Sequence, residues 1–219
     1  MNLTGIIAND LDGLWFESIK ACFNPDLAKK YKIESGSFVG QDRYQLYSYT
    51  GMVKHPETRP LAPIMPVGLM ATTNDDYIER YFVEYIMDPE LTDNNEYKYS
   101  TFIAPQLPKV IRLMKDTPNN NQAVISLGDP FTDYEHSPCL RCITFQLNDD
   151  KLSIAVFFRS WDIFAGLPTN LGGMQLLCEH VAMECGYETG PMFVYSSAAH
   201  CYETAKPMIE QRLGKKFDW

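Results

Sequence analysis

Residues 135–173 read EHSPCLRCITFQLNDDKLSIAVFFRSWDIFAGLPTNLGG, and this stretch decides the fold. Two runs rich in β-branched and aromatic residues, Cys139 to Leu147 and Leu152 to Phe158, flank Asn148-Asp149-Asp150, and together they predict an antiparallel hairpin. Along its first strand Leu140, Cys142 and Thr144 alternate with Arg141, Ile143 and Phe145, so each face is partly apolar. That pattern predicts a sheet covered by helices on one side and by a second subunit on the other. The hairpin opens on a cysteine that follows a proline, and it delivers Arg159, Ser160 and Asp162 into a loop marked by Gly166-Leu167-Pro168. The loop ends at Asn170, at the head of a helix. A thiol, a guanidinium, a carboxylate and a carboxamide at strand ends make a candidate reaction site.

On the N-terminal side, Asn9-Asp10 is positioned to cap a helix whose apolar stripe is Leu11, Leu14, Trp15, Ile19 and Cys22, closed by Asn24-Pro25. Arg43 to Val53 reads as one extended segment, and the four prolines between His55 and Pro66 enforce an irregular crossing. Thr73-Asn74-Asp75-Asp76 starts a second helix with Ile78, Tyr81, Phe82 and Tyr85 at helical spacing, ended by Asp88-Pro89. Leu107 to Lys115 is amphipathic, and Gln122 to Leu127 is a short strand. On the C-terminal side a helix from Leu171 carries Met174, Leu177, Val181 and Cys185 and stops at Gly186. Met192 to Ser197 is a strand, and Glu203 to Leu213 is a last helix before Gly214.

This order predicts an α/β (α+β) domain with a mixed central sheet covered by helices. The 219 residues suit a single domain, residues 1–219. With Lys+Arg 19 against Asp+Glu 28, the net charge of −9 disfavours nucleic acid as a partner, which needs a basic face. No run reaches the roughly 18 apolar residues of a membrane span, and no signal peptide is visible at the N-terminus. A cytoplasmic protein with its six cysteines reduced, and without a membrane partner, is the expectation.

Taken alone, Cys139 is as easily a buried inert thiol, and Arg159 an ion-pair partner of Asp162. Asn170 serves equally as a helix cap, His200 as a core histidine and Glu79 as a solvated helix face. The spacing His136-x-x-Cys139-x-x-Cys142 is a poor metal site, because side chains alternate along a strand; no metal is expected.

Together the residues say more. Pro138-Cys139, Arg159-Ser160-Trp161-Asp162, Gly166-Leu167-Pro168-Thr169-Asn170 and His200-Cys201-Tyr202 resemble, in order and interval, the signature of thymidylate synthases. The likeness is strongest over residues 122 to 202, and LRCITF and NLGGMQLL are closest to short archaeal-type and phage-type members. What it implies is a homodimer that transfers a one-carbon unit from 5,10-methylenetetrahydrofolate to C5 of dUMP. Cys139 would add to C6 of the pyrimidine, favoured as thiolate by Arg159, while Arg159 and Ser160 hold the phosphate. Asp162 and Gly166 would meet the pyrimidine and folate. Asn170 would read uracil, since members acting on cytosine carry aspartate there. His200 and Tyr202 would bind the sugar hydroxyl, and Glu79 and Tyr99 would serve in proton transfer near O4 and C5.

Three departures qualify the resemblance. Asn121-Gln122 stands where the family has two arginines that reach a partner's phosphate, leaving Arg43 or Arg141 to compensate or the substrate to lack that group. Leu140 replaces a common histidine. The sequence runs only seventeen residues beyond Tyr202, short of the family's closing tail, with Phe217 and Trp219 as candidate lids. Water entering an open site would give a hydroxymethyl product, so a pyrimidine nucleotide hydroxymethylase is the alternative. A catalytically inactive nucleotide-binding homologue is the alternative of another class, and it predicts an unreactive Cys139.

Overall fold

The structure, a computed structural model, describes residues 2–36, 38–90, 98–129 and 137–219. Strand β1 (Thr4–Ala8) leads into α1 (Leu11–Cys22), whose first turn is capped as expected, the Asp10 carboxylate accepting the Gly13 N–H at 2.8 Å. The extended segment expected over residues 43–53 is two strands. After β2 (Ala28–Lys32), β3 (Asp42–Leu46) and β4 (Tyr49–Val53) lie in different sheets. Asn74 caps α2 (Asp75–Tyr81), which widens into a π-helical turn over Phe82–Met87 and ends at Asp88. Then come α3 (Ser100–Ile103), α4 (Leu107–Asp116) and β5 (Val124–Ser126). His136 and most of the loop before the hairpin fall outside the described residues.

The hairpin forms from β6 (Leu140–Asn148) and β7 (Lys151–Phe158). Asp149 and Asp150 take φ of 49° and 61°, the two left-handed residues of the turn whose twist matches the strands. A bulge between Leu140 and Cys142 changes the alternation that the sequence predicted. Leu140 therefore joins Ile143 and Phe145 on the buried face, and Cys142 stays with Thr144 on the outer one.

After β8 (Trp161–Asp162), α5 (Gly166–Cys185) begins at Gly166 and not at Leu171. Gly166 and Pro168 make its first turn, where the N–H that proline lacks has no helical partner to lose. Asn170 is thus inside the helix and caps nothing. Gly186, at φ 79°, ends it as expected. Strands β9 (Glu188–Ser196) and β10 (Ala199–Tyr202), a 3-10 turn at Glu203–Ala205 and α6 (Lys206–Leu213) complete the chain.

One sheet has the order β1-β4-β9-β7-β6-β5, mixed in direction, and the second has the order β2-β3-β10-β8. The architecture is the α/β class read from the sequence. Helices α1 and α5 cover one face of the large sheet, and α2 lies against α5. That approach depends on two glycines: a Cβ at Gly172 would stand 2.7 Å from Ile78 Cγ2, and one at Gly173 would stand 2.9 Å from Tyr81 Cδ1. The other face of the large sheet carries Ile7, Val124, Phe193 and Tyr195, all exposed, with Phe157 stacked on Tyr195. Phe217 stacks on Phe23 and Trp219 meets Tyr44 edge-on, so neither candidate lid covers the hairpin's cysteine. Among the described residues no helix is long and apolar enough to cross a membrane.

Candidate active site

Three strands of the large sheet continue into the small one, at Tyr47-Ser48, Arg159-Ser160 and Ser197-Ala198, and the candidate residues gather at this crease. Hydrogen bonds stitch it: Arg159 N–H to Cys139 O at 2.9 Å, Trp161 N–H to Ala198 O at 3.1 Å, and Ser197 Oγ–H to Arg159 O at 3.0 Å. Cys139 is half-buried just before β6. The Arg159 guanidinium donates from Nε to Pro138 O at 3.2 Å and from Nη2 to Ser137 O at 2.6 Å, so the two residues before Cys139 hold the cation. Carbonyls orient a guanidinium without cancelling its charge. Asp162 is engaged elsewhere, its Oδ1 accepting the Phe164 and Ala165 N–H groups at 3.0 and 3.1 Å. The pairing of Arg159 with Asp162 is not made. Burial raises the Asp162 pKa, against the opposing pull of those two donors and Arg43. Ser160 is half-buried next to Arg159.

The small sheet supplies the floor by register. His200 pairs with Gln45 and with Asp162, Tyr202 with Arg43, and Arg43 with Tyr31. Directly paired residues share a face, so these six side chains line one side, while Tyr44, Leu46, Cys201 and Trp161 fill the core on the other. Trp219 packs on that core side, through Tyr44. His200 is buried, with Nδ1 2.8 Å from Ala198 O and Nε2 without a partner among the described residues. A carbonyl accepts only, which assigns the proton to Nδ1 and leaves Nε2 as an acceptor. Burial, reinforced by Arg43, lowers its pKa to about 4, so the imidazole is neutral at pH 7. Arg43 donates to Tyr202 Oη and to Tyr31 Oη, each at 3.3 Å.

Tyr99 is buried, and its hydroxyl accepts the Leu140 N–H at 3.4 Å, one residue from the thiol. Asn170 is held at both ends: Oδ1 accepts Trp161 Nε1–H at 3.1 Å, and Nδ2 donates to Tyr81 Oη at 2.9 Å. Gly166 lies against this carboxamide, where a Cβ would make ordinary contact, 3.4 Å from Asn170 Oδ1 and 3.7 Å from Asp162 Cβ. Tyr81 stacks on Tyr85, which meets Tyr99 edge-on. Aromatic contact therefore runs from the carboxamide to the backbone beside the thiol. Next to it opens a cleft of about 450 Å³ lined by Tyr77, Tyr81, Tyr85, Arg80, Glu84 and Lys98.

The structure thus brings Cys139, Arg159, Ser160, Asp162, Gly166, Asn170, His200, Tyr202 and Tyr99 to one crease. It does not bring Glu79 there. Glu79 is exposed two residues before Tyr81, about 200° around the helix from it. Tyr81, read as core in an apolar stripe, faces Asn170 instead. Trp161, Tyr31 and Gln45 are the other residues that sequence reasoning passed over. The signal for Tyr31 and Gln45 was period-2 register with Arg43, legible only once β2 and β3 are paired. Among the described residues no cluster of three His, Cys, Asp or Glu side chains is arranged to hold a metal ion. A partly exposed thiol that follows the two carbonyls holding a guanidinium, with a fixed carboxamide and a neutral imidazole, suits covalent addition to an electron-poor ring on an anionic ligand.

Residues 91–218 match the family described as Thymidylate synthase. A Methanopyrus kandleri protein is 28% identical over 185 residues, covering 78% of this chain and 85% of that protein. A Methanosarcina mazei protein is 29% identical over 145 residues, covering 63% of this chain and 66% of the relative. Both carry the name "Putative thymidylate synthase".

Proposed function

The chain belongs to the thymidylate synthase family, and from that membership we propose that it transfers a one-carbon unit to C5 of dUMP, with Cys139 as nucleophile. The observation that carries this reading is the anchoring of the Arg159 guanidinium by the carbonyls of Ser137 and Pro138, the two residues that precede the half-buried Cys139. Addition of the Cys139 sulfur to C6 forms the S–C6 bond and moves the C5–C6 electron pair onto C5 and O4. C5 attacks the methylene carbon of methylenetetrahydrofolate and loses its proton, the carbon–nitrogen bond to folate breaks, hydride or water adds to the transferred carbon, and expulsion of the thiolate restores the double bond. Arg159, Ser160 and, in place of the absent arginine pair, Arg43 hold the phosphate; His200 Nε2 accepts from the sugar hydroxyl beside Tyr202. Asn170 reads N3–H and O4 of uracil, and Tyr99 sits by the nucleophile's backbone for proton handling.

Asp162 and Gly166 would hold 5,10-methylenetetrahydrofolate, the carboxyl accepting from N–H groups of its ring. That molecule supplies the one-carbon unit and, for a methyl product, the hydride. Hydroxymethylation is the second reading, favoured by one observation: Phe217 and Trp219 pack on Phe23 and Tyr44, away from the thiol, so they do not shield it from water. The decisive experiment incubates the protein with methylenetetrahydrofolate and each of dUMP, dCMP, UMP and deoxyuridine, then weighs the products. A mass gain of a methyl group on dUMP supports synthase chemistry, and of a hydroxymethyl group the second reading. No gain on any of the four sinks both and leaves a binding protein.

The exposed Ile7, Phe193 and Tyr195 on the outer sheet face support a homodimer, each protomer covering the other's apolar strands. Sedimentation is expected to give twice the chain mass, and Tyr195→Asp to give a monomer. A monomeric unmutated protein at micromolar concentration would end that proposal.

A further inference from the structure

We propose that Trp161 and Tyr81 choose the base, by clamping the Asn170 carboxamide in the one orientation that reads uracil and rejects cytosine. The inference rests on the proposed action at a pyrimidine and deepens it. An amide is ambiguous by shape, because turning it over exchanges an acceptor for a donor pair at nearly the same positions. Turned one way, Asn170 accepts from N3–H and donates to O4, as uracil requires. Turned the other way, it donates to N3 and accepts from the amino group of cytosine.

Its neighbours remove the ambiguity. The indole N–H of Trp161 only donates, and it lies 3.1 Å from Oδ1, so the oxygen must face Trp161. The nitrogen then faces Tyr81, whose hydroxyl accepts from Nδ2 at 2.9 Å. Each end keeps capacity for a ligand, one lone pair on Oδ1 and one hydrogen on Nδ2. Reversal would set the amide N–H against the indole N–H, an apposition of donors at a buried residue. Trp161 cannot turn away, being 2% exposed and stacked on Phe158 at 4.3 Å with an interplanar angle of 4°. Tyr81 is fixed as well, by its stack on Tyr85 and by the bare backbone of Gly173 under its ring. Trp161 gives the direction and Tyr81 holds it.

The test compares kcat/KM for dUMP and dCMP, together with the Kd of each nucleotide by calorimetry without folate, in the unmutated protein and in Tyr81→Phe and Trp161→Phe. The unmutated protein is expected to prefer uracil. In Tyr81→Phe the uracil-to-cytosine ratio should fall about tenfold, through a rise in KM and Kd for dUMP, as one hydrogen bond is lost. In Trp161→Phe it should fall further, with dCMP binding improved. Melting curves check folding, and a purely structural role would lower both substrates in parallel and leave the ratio alone. Ratios within twofold of the unmutated value in both folded variants, or a preference for cytosine in the unmutated protein, overturn the clamp while leaving one-carbon chemistry standing. Failure of the unmutated protein to bind or turn over any pyrimidine nucleotide overturns the underlying reading and the clamp with it.

Discussion

Cys139→Ala is expected to reduce release of tritium from C5 of labelled dUMP by about a thousandfold or more, because in the proposed mechanism C5 becomes nucleophilic through the adduct at C6. Stability should barely change. Cys139 is half-buried at the mouth of the crease, so losing its sulfur opens no closed cavity. The control is Cys142→Ala, three residues along on the outer sheet face, where burial raises the thiol pKa and keeps it protonated. That variant should retain its rate. Full tritium release from Cys139→Ala would sink the covalent mechanism, and a Cys142 variant that fails in its place would relocate it.

The second large effect concerns the contact between α2 and α5. Gly172→Val puts a branched side chain where a single Cβ would already lie 2.7 Å from Ile78 Cγ2 and 2.9 Å from Ile78 Cδ1. Ile78 is fully buried and stiff at its own branch, so the two helices must separate. The expected loss is about 3 kcal/mol, the upper range for overpacking of a close-packed core. Urea unfolding reads it as a lower midpoint at unchanged slope. A folded remnant should also bind dUMP less tightly, since separation of the helices withdraws Tyr81 from Asn170. A midpoint within experimental error of the unmutated protein would mean that the glycine is not what lets the helices meet.

How much of this was legible beforehand depended on the kind of signal. Capped, amphipathic α1 and α2 were readable because Asp10 and Asn74 satisfy first-turn N–H groups through side chains that announce the role. The hairpin was readable from its apolar runs and acidic turn. Strands β1 and β2, TGIIA and AKKYK, were not, because five residues with no sustained alternation carry no periodic signal. The break at Tyr47-Ser48 was hidden for another reason: β3 and β4 are both extended, and only their partners show that they belong to different sheets. Pro168 looked like loop punctuation and is instead the first turn of α5.

The site divides along the same line. The candidate residues that meet at the crease were legible from motif intervals, which survive without knowledge of packing. Tyr81 and Trp161 were not, since an aromatic residue in an apolar stripe or beside a motif reads as core until its polar atom is seen to reach a partner. Glu79 was carried in by resemblance, and the rotation of α2 decides which neighbour faces the amide.

Strand β9 carries Tyr195 on the exposed apolar face, and Ser197, two residues on, holds the Arg159 carbonyl. The surface offered for assembly and the backbone of Arg159 are thus two residues apart along one strand end. In the proposed homodimer a partner seated on Tyr195 would therefore border the very turn of chain that fixes the Arg159 backbone.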